Sequence, residues 1–275
     1  MPLYVVATPI GNLGDITARA LETLRDADLI ACEDTRRTRA MLTHFGISRP
    51  LSSLPAFAER DRAEPLLARL RAGAKVALCT DAGTPGISDP GTELVRQAAL
   101  ENIPVIPIPG PSAVAAALSV AGLSSDRFLF LGFLPRKGTA RIELVERAAA
   151  CGFAVVIYES PERVARTLVD LRDVFGDRPA LVARELTKLH EEIARGTLST
   201  LSAKFADGAR GEVVIVVEGG TPALAEVADE TSIEDALRER IGAGHSPRDA
   251  ARALAEERGL PRRAVYQIAM RLPPL

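Results

Sequence analysis

Cys79-Thr-Asp-Ala-Gly-Thr-Pro-Gly-Ile-Ser-Asp-Pro-Gly91 packs three glycines, two prolines and two aspartates into thirteen residues. Glycine lets a backbone approach a ligand closely and take positive φ, and proline fixes turns. The aspartates are acceptors for hydroxyl or ammonium groups, and Asp81 is read as binding the polar parts of a ligand. The stretch has no lysine or arginine, which disfavours phosphate as the principal ligand. It follows an apolar run, Lys75 to Leu78, and precedes a helical pattern, Thr92 to Leu100. Loops at that place in an open α/β sheet bind ligands, although an ordinary strand-to-helix connection is the plain alternative. Glu33, Asp34, Glu185 and Lys188 also stand at loop mouths and are candidate bases. Glu33 or Asp34 could instead cap the helix opening near Thr35 or pair with Arg36, and Lys188 would need a lowered pKa to act.

Other chemistries lack their motifs. There is no G-x-G-x-x-G after the first strand and no G-x-x-x-x-G-K-[ST], which disfavours a dinucleotide enzyme or a Walker-type nucleotidase. No G-x-S-x-G occurs, and His44, His190 and His245 stand far apart, so a hydrolase triad has little support. His44 reads as a favourable charge at a helix C-terminus. Cysteine and histidine spacing suggests no metal site.

The elements that must position these loops alternate. Strands are expected at Leu3–Ala7, Leu29–Cys32, Val76–Leu78 and Val105–Ile108. Helices are expected at Thr17–Arg25, from Thr35 to near Gly46, and at Asp61–Ala72. That alternation argues for a mostly parallel sheet covered by helices. Asn102 to Ser125 carries no charge. Pro104, Pro107, Pro109 and Pro111 rule out a membrane span, which needs about 20 continuous apolar residues. It reads as a buried strand, a turn and a helix, Ala113–Ala121, buried all round. Further on, Phe128–Leu134, Phe153–Tyr158, Ala180–Ala183 and Val213–Val217 read as strands. Helices are expected at Ile142–Ala150 and Pro161–Leu171, with an exposed strand or hairpin arm at Glu192–Gly196.

The tail differs. A polar linker with acids from Glu226 to Glu230 leads into three short helices, roughly 233–241, 247–258 and 261–271. The run from Asp249 to Val265 looks like a helix-turn-helix whose second helix could meet nucleic acid. From Arg258 onward there are four arginines and no acid, which could equally form a solvated face. The whole chain of 275 residues is near charge balance, with 34 Lys+Arg against 36 Asp+Glu, so nucleic acid could bind only a local basic patch. Cys32, Cys79 and Cys151 read as buried thiols of a reducing compartment. No signal peptide is indicated, and the expected setting is soluble and cytoplasmic.

Five stretches carry a family resemblance: Thr8-Pro-Ile-Gly-Asn-Leu-Gly-Asp15, Glu33-Asp-Thr-Arg36, Thr80 to Gly91, Pro109-Gly-Pro-Ser112 and Ala183-Arg-Glu-Leu-Thr-Lys188. In that order they resemble the tetrapyrrole methylase (class III methyltransferase) superfamily. Within it they are similar to the bacterial ribosomal RNA small-subunit 2′-O-ribose methyltransferase I family. The resemblance covers the whole chain, tail included. It implies two α/β domains with a cleft between them, at 1–115 and 116–222, then a linker and helical tail at 223–275. It also implies a homodimer that binds S-adenosyl-L-methionine in the cleft and methylates a cytidine ribose 2′-hydroxyl in 16S ribosomal RNA of the small subunit. By matching motif, the cofactor would contact Pro9, Asp81, Ala82, Gly83, Thr84, Ile87, Ser88, Ser112, Ala113, Phe133, Tyr158, Leu186 and Val213. RNA would be held by Arg36, Arg37 and Arg39, by Arg136, Lys137 and Arg141, and by the tail, Arg262 and Arg263 included. No metal is implied. One departure stands out: where the family carries His-x-His-Asn, this chain has Leu54-Pro-Ala-Phe-Ala-Glu59. The rival readings are a precorrin-type tetrapyrrole C-methyltransferase with the same donor, and a non-catalytic nucleic-acid-binding regulator using residues 233–271.

Overall fold

The computed structural model describes residues 1–220, 230–258 and 262–272. Short β-branched and aliphatic runs form the first sheet: Leu3–Val6 (β1), Leu29–Cys32 (β2), Leu51–Ser53 (β3), Val76–Leu78 (β4) and Val105–Ile108 (β5). All pairings are parallel, in the order β3-β2-β4-β1-β5. Ala18–Asp26 (α1) and Thr35–His44 (α2) cover one face, and Glu59–Arg71 (α3) and Thr92–Leu100 (α4) cover the other. β4 therefore sends Val76 and Leu78 into one core and Ala77 into the other, and a strand buried on both faces must be continuously apolar. The chain leaves β1 toward β2 on one side and leaves β4 toward β5 on the other, so the loops after β1 and β4 flank a topological switch point.

Ala113–Ala121 (α5) crosses to a second sheet made of Phe128–Phe133 (β6), Ala154–Glu159 (β7), Pro179–Arg184 (β8), Glu192–Thr197 (β9) and Val213–Val217 (β10). The order is β6-β7-β10-β8-β9, parallel only between β6 and β7. The expected parallel pattern holds for the first sheet; the second is mixed. β9 returns beside β8 as a hairpin arm, and β10 inserts antiparallel between β7 and β8. Thr139–Ala150 (α6), Val164–Phe175 (α7) and Leu198–Lys204 (α8) cover one face of this sheet, and α5 covers the other.

Three expectations need correction. β5 is not buried: Ile106 and Pro107 are exposed. It is an edge strand, where a proline without an N–H is tolerated. α5 is not buried all round either. Ala117 and Ala121 pack onto the second sheet, while Ala115 and Ser119 are exposed. Cys151 is exposed because it caps the C-terminus of α6, whereas Cys32 and Cys79 are buried.

The tail comprises Glu230–Gly242 (α9), Pro247–Arg258 (α10) and Arg262–Arg271 (α11). Ile233, Leu237, Leu254, Val265 and Ile268 give it a core of its own. Ser246 opens α10, with its hydroxyl accepting from the Asp249 N–H at 3.1 Å and donating to the Asp249 carboxylate at 2.7 Å. The acidic linker at 221–229, the turn Gly259-Leu-Pro261 and the side chains of Glu230, Arg262 and Arg263 lie outside the described residues.

Candidate functional site

Loops leave the C-terminal edge of the first sheet, and hydrogen bonds fasten two of them together. Thr8 and Gly83 exchange backbone bonds of 2.8 and 3.1 Å, and the buried Thr8 hydroxyl donates to the Thr80 carbonyl at 3.0 Å. These bonds tie the 8–15 loop to the 79–91 loop. Gly91 precedes α4 with φ 129 and no side chain to cap it. The capping carboxylate comes from Glu59, which accepts from the N–H groups of Gly91, Glu93 and Leu94 at 3.0, 2.6 and 3.4 Å. The segment 54–59 thus ends in an anchor for the 79–91 loop, while Phe57 within it is 93% exposed. Across the cleft, a Cβ on Gly11 would lie 2.9 Å from the Leu186 carbonyl and 2.5 Å from Lys188 Cγ. Only glycine lets the first sheet's loop sit against the 185–188 segment of the second.

Between the sheets lies a cavity of about 260 Å³. The first sheet contributes Ile10, Ala82, Gly83, Thr84, Ile87, Ser88 and Asp89; Ser112 and Ala113 open α5; the second sheet contributes Phe133, Tyr158 to Pro161, and Gly211 to Val214. Ser112 accepts from the Ala115 N–H at 3.5 Å as the N-cap of α5. The Phe133 and Tyr158 rings meet edge-to-face at 5.7 Å. The wall is mainly apolar with carboxylates at its rim, a donor set that fits a ligand with an aromatic ring and positive charge.

The structure gathers most of the expected cofactor residues on this wall: Ala82, Gly83, Thr84, Ile87, Ser88, Ser112, Ala113, Phe133, Tyr158 and Val213. Three others stand behind it. Pro9 is buried in the first loop, Leu186 packs in the core with Ile10, and Asp81 faces Asp34 and Arg37. Ile10 and Asp89 line the cavity without having been singled out as cofactor contacts, because their lining depends on strands far away in sequence. Asp89 was visible only as one acceptor among several in a loop.

Electrostatics separates the ionisable groups. Glu185 accepts from Lys188 Nζ at 2.8 Å and from the Glu212 N–H at 3.0 Å; these bonds hold its carboxyl below the usual range. Burial pulls the Lys188 ammonium down, but its bonds to Glu185 and to Glu212, the latter at 2.9 Å, outweigh that and leave its pKa raised. Lys188 is therefore held as a cation. Asp34 caps α2 by accepting from the Arg36 N–H at 2.8 Å and pairs with the Arg36 guanidinium, which lowers its carboxyl. Burial, then the charge of Asp81, raises the Glu33 carboxyl. Asp89 is pushed up to about 6, chiefly by burial. The Tyr158 phenol is raised by burial and then by Asp89.

The expected RNA cations divide. Arg36 and Arg37 are exposed but paired, with Asp34 and Asp81. Arg39 is exposed and, with Thr43, Ser48 and Arg49, lines a second groove at the far end of α2. Arg136 and Lys137 are exposed on the turn before α6. Arg141 is not a surface cation, and that expectation is corrected: it is 4% exposed and bonds Asp170 at 2.8 Å, Thr167 at 2.8 Å and the Pro135 carbonyl at 3.2 Å. Its guanidinium holds the buried Glu159 and braces the basic turn from below.

Residues 2–202 match the family described as Tetrapyrrole (Corrin/Porphyrin) Methylases, and residues 225–273 match one described as RsmI C-terminal HTH domain. A relative in Synechocystis sp., named "Ribosomal RNA small subunit methyltransferase I", is 48% identical over 272 residues, covering 98% of each chain. One of the same name in Xylella fastidiosa is 47% identical over 269 residues, covering 96% of this chain and 97% of its own. Among solved structures, uroporphyrin-III C-methyl transferase from Thermus thermophilus complexed with S-adenosyl homocysteine superposes with a TM-score of 0.58. It is 17% identical, and the match covers 81% of this chain and 98% of that one; the likeness is one of fold.

Proposed function

The chain belongs to the tetrapyrrole methylase family and, within it, to the relatives named ribosomal RNA small subunit methyltransferase I. From that membership we propose that it transfers a methyl group from S-adenosyl-L-methionine to a cytidine ribose 2′-hydroxyl in 16S ribosomal RNA of the small subunit. The observation that carries this reading is similarity running the full length of the chain, through both sheets and into the tail.

The cavity's own residues suit the donor. Phe133, Tyr158, Ala82 and Val213 offer apolar surface for a purine and a thioether. The carboxylates at the rim favour a sulfonium and an ammonium. Asp81, Pro9 and Leu186 would act from behind, by holding the loops. When bound, the donor supplies an already activated methyl group. The chain's task is then to hold the ribose oxygen in line and to exclude water, and such positioning supplies roughly 7–11 kcal/mol of a barrier. The ribose hydroxyl must also lose a proton; of the expected bases Glu33, Glu185 and Lys188, none lines the cavity, and the last two are committed to each other. RNA phosphates fall to Arg36, Arg37 and Arg39, to Arg136 and Lys137, and to the tail arginines Arg262 and Arg263.

The same reading makes the protein a cytoplasmic homodimer. The free thiols of Cys32 and Cys79 suit a reducing compartment, and among the described residues no helix is long and apolar enough to cross a membrane. The exposed flank of α5 and the open edge of β5 offer an apolar face for a second copy.

Labelled methyl transfer to small-subunit particles lacking the modification, with the product nucleosides separated, tests the reading. A labelled 2′-O-methylated cytidine derivative is expected. Donor binding without transfer to RNA, together with transfer to a tetrapyrrole, would replace it.

A further inference from the structure

Between Asp34 and Glu59 the sequence has no acidic residue, in a chain that holds 36 of them, while Arg36, Arg37, Arg39, His44 and Arg49 all fall in that interval. The fold gathers part of this stretch at one place. Arg36, Arg39 and Thr43 recur along α2 at spacings of three and four residues and so share a face, and all three are exposed. The start of α2 is tied to the 79–91 loop: the Asp34 N–H donates to Asp81 at 3.2 Å, and Arg37 pairs with Asp81. The 10 residues of the helix carry the stripe about 15 Å away from that loop.

At that far end lies the second groove, of about 320 Å³. Arg39 and Thr43 line it from the helix, and Ser48 and Arg49 line it from the turn that enters β3. The buried Leu42 and Ile47 close its base. The turn is held on both sides: the Ile47 N–H donates to the Leu42 carbonyl at 2.8 Å, and the Pro50 carbonyl accepts from the Ile30 N–H of β2 at 3.0 Å. The Met41 and Thr43 carbonyls accept from the Phe45 and Gly46 N–H groups, so the negative end of the helix is occupied. Arg39 and Arg49 are exposed, and neither has an ion pair among the described residues, in contrast to Arg36 and Arg37. No carboxylate lines the groove. Two guanidinium forks and two hydroxyls, with no acid among them, suit the oxygens of a phosphate.

We propose that this groove binds a backbone phosphate of the small-subunit RNA, at a point on the RNA away from the target ribose. The inference rests on the methyl-transfer reading above. The rim of the cavity carries carboxylates, which repel a polyanion. A phosphate held at the far end of α2 offsets that repulsion without placing a cation beside the sulfonium. Phosphate contacts of this kind read no sequence; they fix the register and orientation of the nucleic acid. The groove therefore acts as a second anchor, which sets how the RNA lies across the first sheet.

Binding of the full chain to small-subunit particles, measured over a series of salt concentrations, tests the assignment. Arg49→Gln should weaken binding about tenfold at the lowest salt, as loss of a charged contact does, and Arg49→Glu should weaken it further. The slope of log affinity against log salt should shrink by about 0.7–0.9. Arg49→Lys, which keeps the charge and loses the fork, should fall between wild type and Arg49→Gln. In methylation assays the particle concentration at half-maximal rate should rise while the rate at saturation changes little, a split that a general loss of structure does not give. Arg39→Gln should repeat the loss, and the two Gln substitutions together should cost less than the product of the two, because both arginines hold one phosphate. Losses that multiply would mean separate contacts and overturn the shared site. Arg49→Glu binding within about twofold of wild type, a difference well under one charged contact, would overturn it as well. So would weaker binding with an unchanged slope, which would make the partner a ribosomal protein. If the Arg49 variants fail to fold, the affinity and slope of Arg39→Gln decide. A wild type that binds the particle but transfers no methyl group to it would sink the methyl-transfer reading, and the groove would still be judged by the slopes. A wild type that does not bind the particle would end both.

Discussion

Charge type alone does not say where an arginine goes. Arg136, Lys137 and Arg141 stand together in sequence, yet the first two are exposed and Arg141 has a side chain only 5% exposed, wrapped around Asp170, Thr167 and the fully buried Glu159. Breaking a buried pair by removing one partner leaves an uncompensated charge, which costs about 3–5 kcal/mol. Arg141→Met should therefore lower the urea-unfolding free energy by about that amount. It should leave the salt dependence of RNA affinity unchanged, whereas Arg136→Ala should do the reverse. The sequence shows residue types and so suggested a cationic turn. It could not show that the partner of Arg141 lies on the adjacent strand and helix. Asp89 is similar: an acceptor in a loop was legible, but the groups that face it come from the ends of β2, β7 and β10.

Regular elements were legible where one local force dominates. β4, β5, β10 and α5 have the bounds that their apolar runs and flanking Gly/Pro punctuation suggest, and the Ser112 cap and Gly122 C-terminus of α5 are local signals. What stayed hidden was long-range. The antiparallel insertion of β10 depends on pairing with strands on both sides, and β3 is too short to declare itself. The capping of α4 is of the same kind, since Gly91 offers no side chain and Glu59 supplies the acceptor from α3. Losing an N-cap acceptor costs about 0.5–2 kcal/mol. Glu59→Ala should fall in that range by chemical denaturation. Because the same bonds hold the end of the 79–91 loop, donor affinity should drop severalfold as well. Destabilisation with unchanged donor affinity would mean that the loop is held by its bonds to Thr8 alone.

At the scale of the molecule, the binding problem is one of charge distribution. A net charge of −2 gives no general attraction to RNA, so affinity has to come from local clusters and falls with salt according to the phosphates engaged. The tail is the most separable of the contributors, because its core of Ile233, Leu237, Leu254, Val265 and Ile268 is distinct from the cores of the two sheets. A chain ending at Gly220 retains the cavity and every bond that fastens its loops. It should melt close to the full chain and bind S-adenosyl-L-methionine within about twofold of it, since a change below tenfold is under 1.4 kcal/mol. Its affinity for the small-subunit particle should fall by at least about tenfold. The slope of log affinity against log salt should shrink by about 0.7–0.9 for each phosphate contact removed. Methylation at saturating particle should then recover much of its rate, because the tail supplies binding and the cavity supplies chemistry. Unchanged affinity and slope would move the RNA contacts to Arg36–Arg39 and Arg136–Lys137. A lost rate at saturation would give the tail a part in positioning the ribose, which its separate core does not suggest.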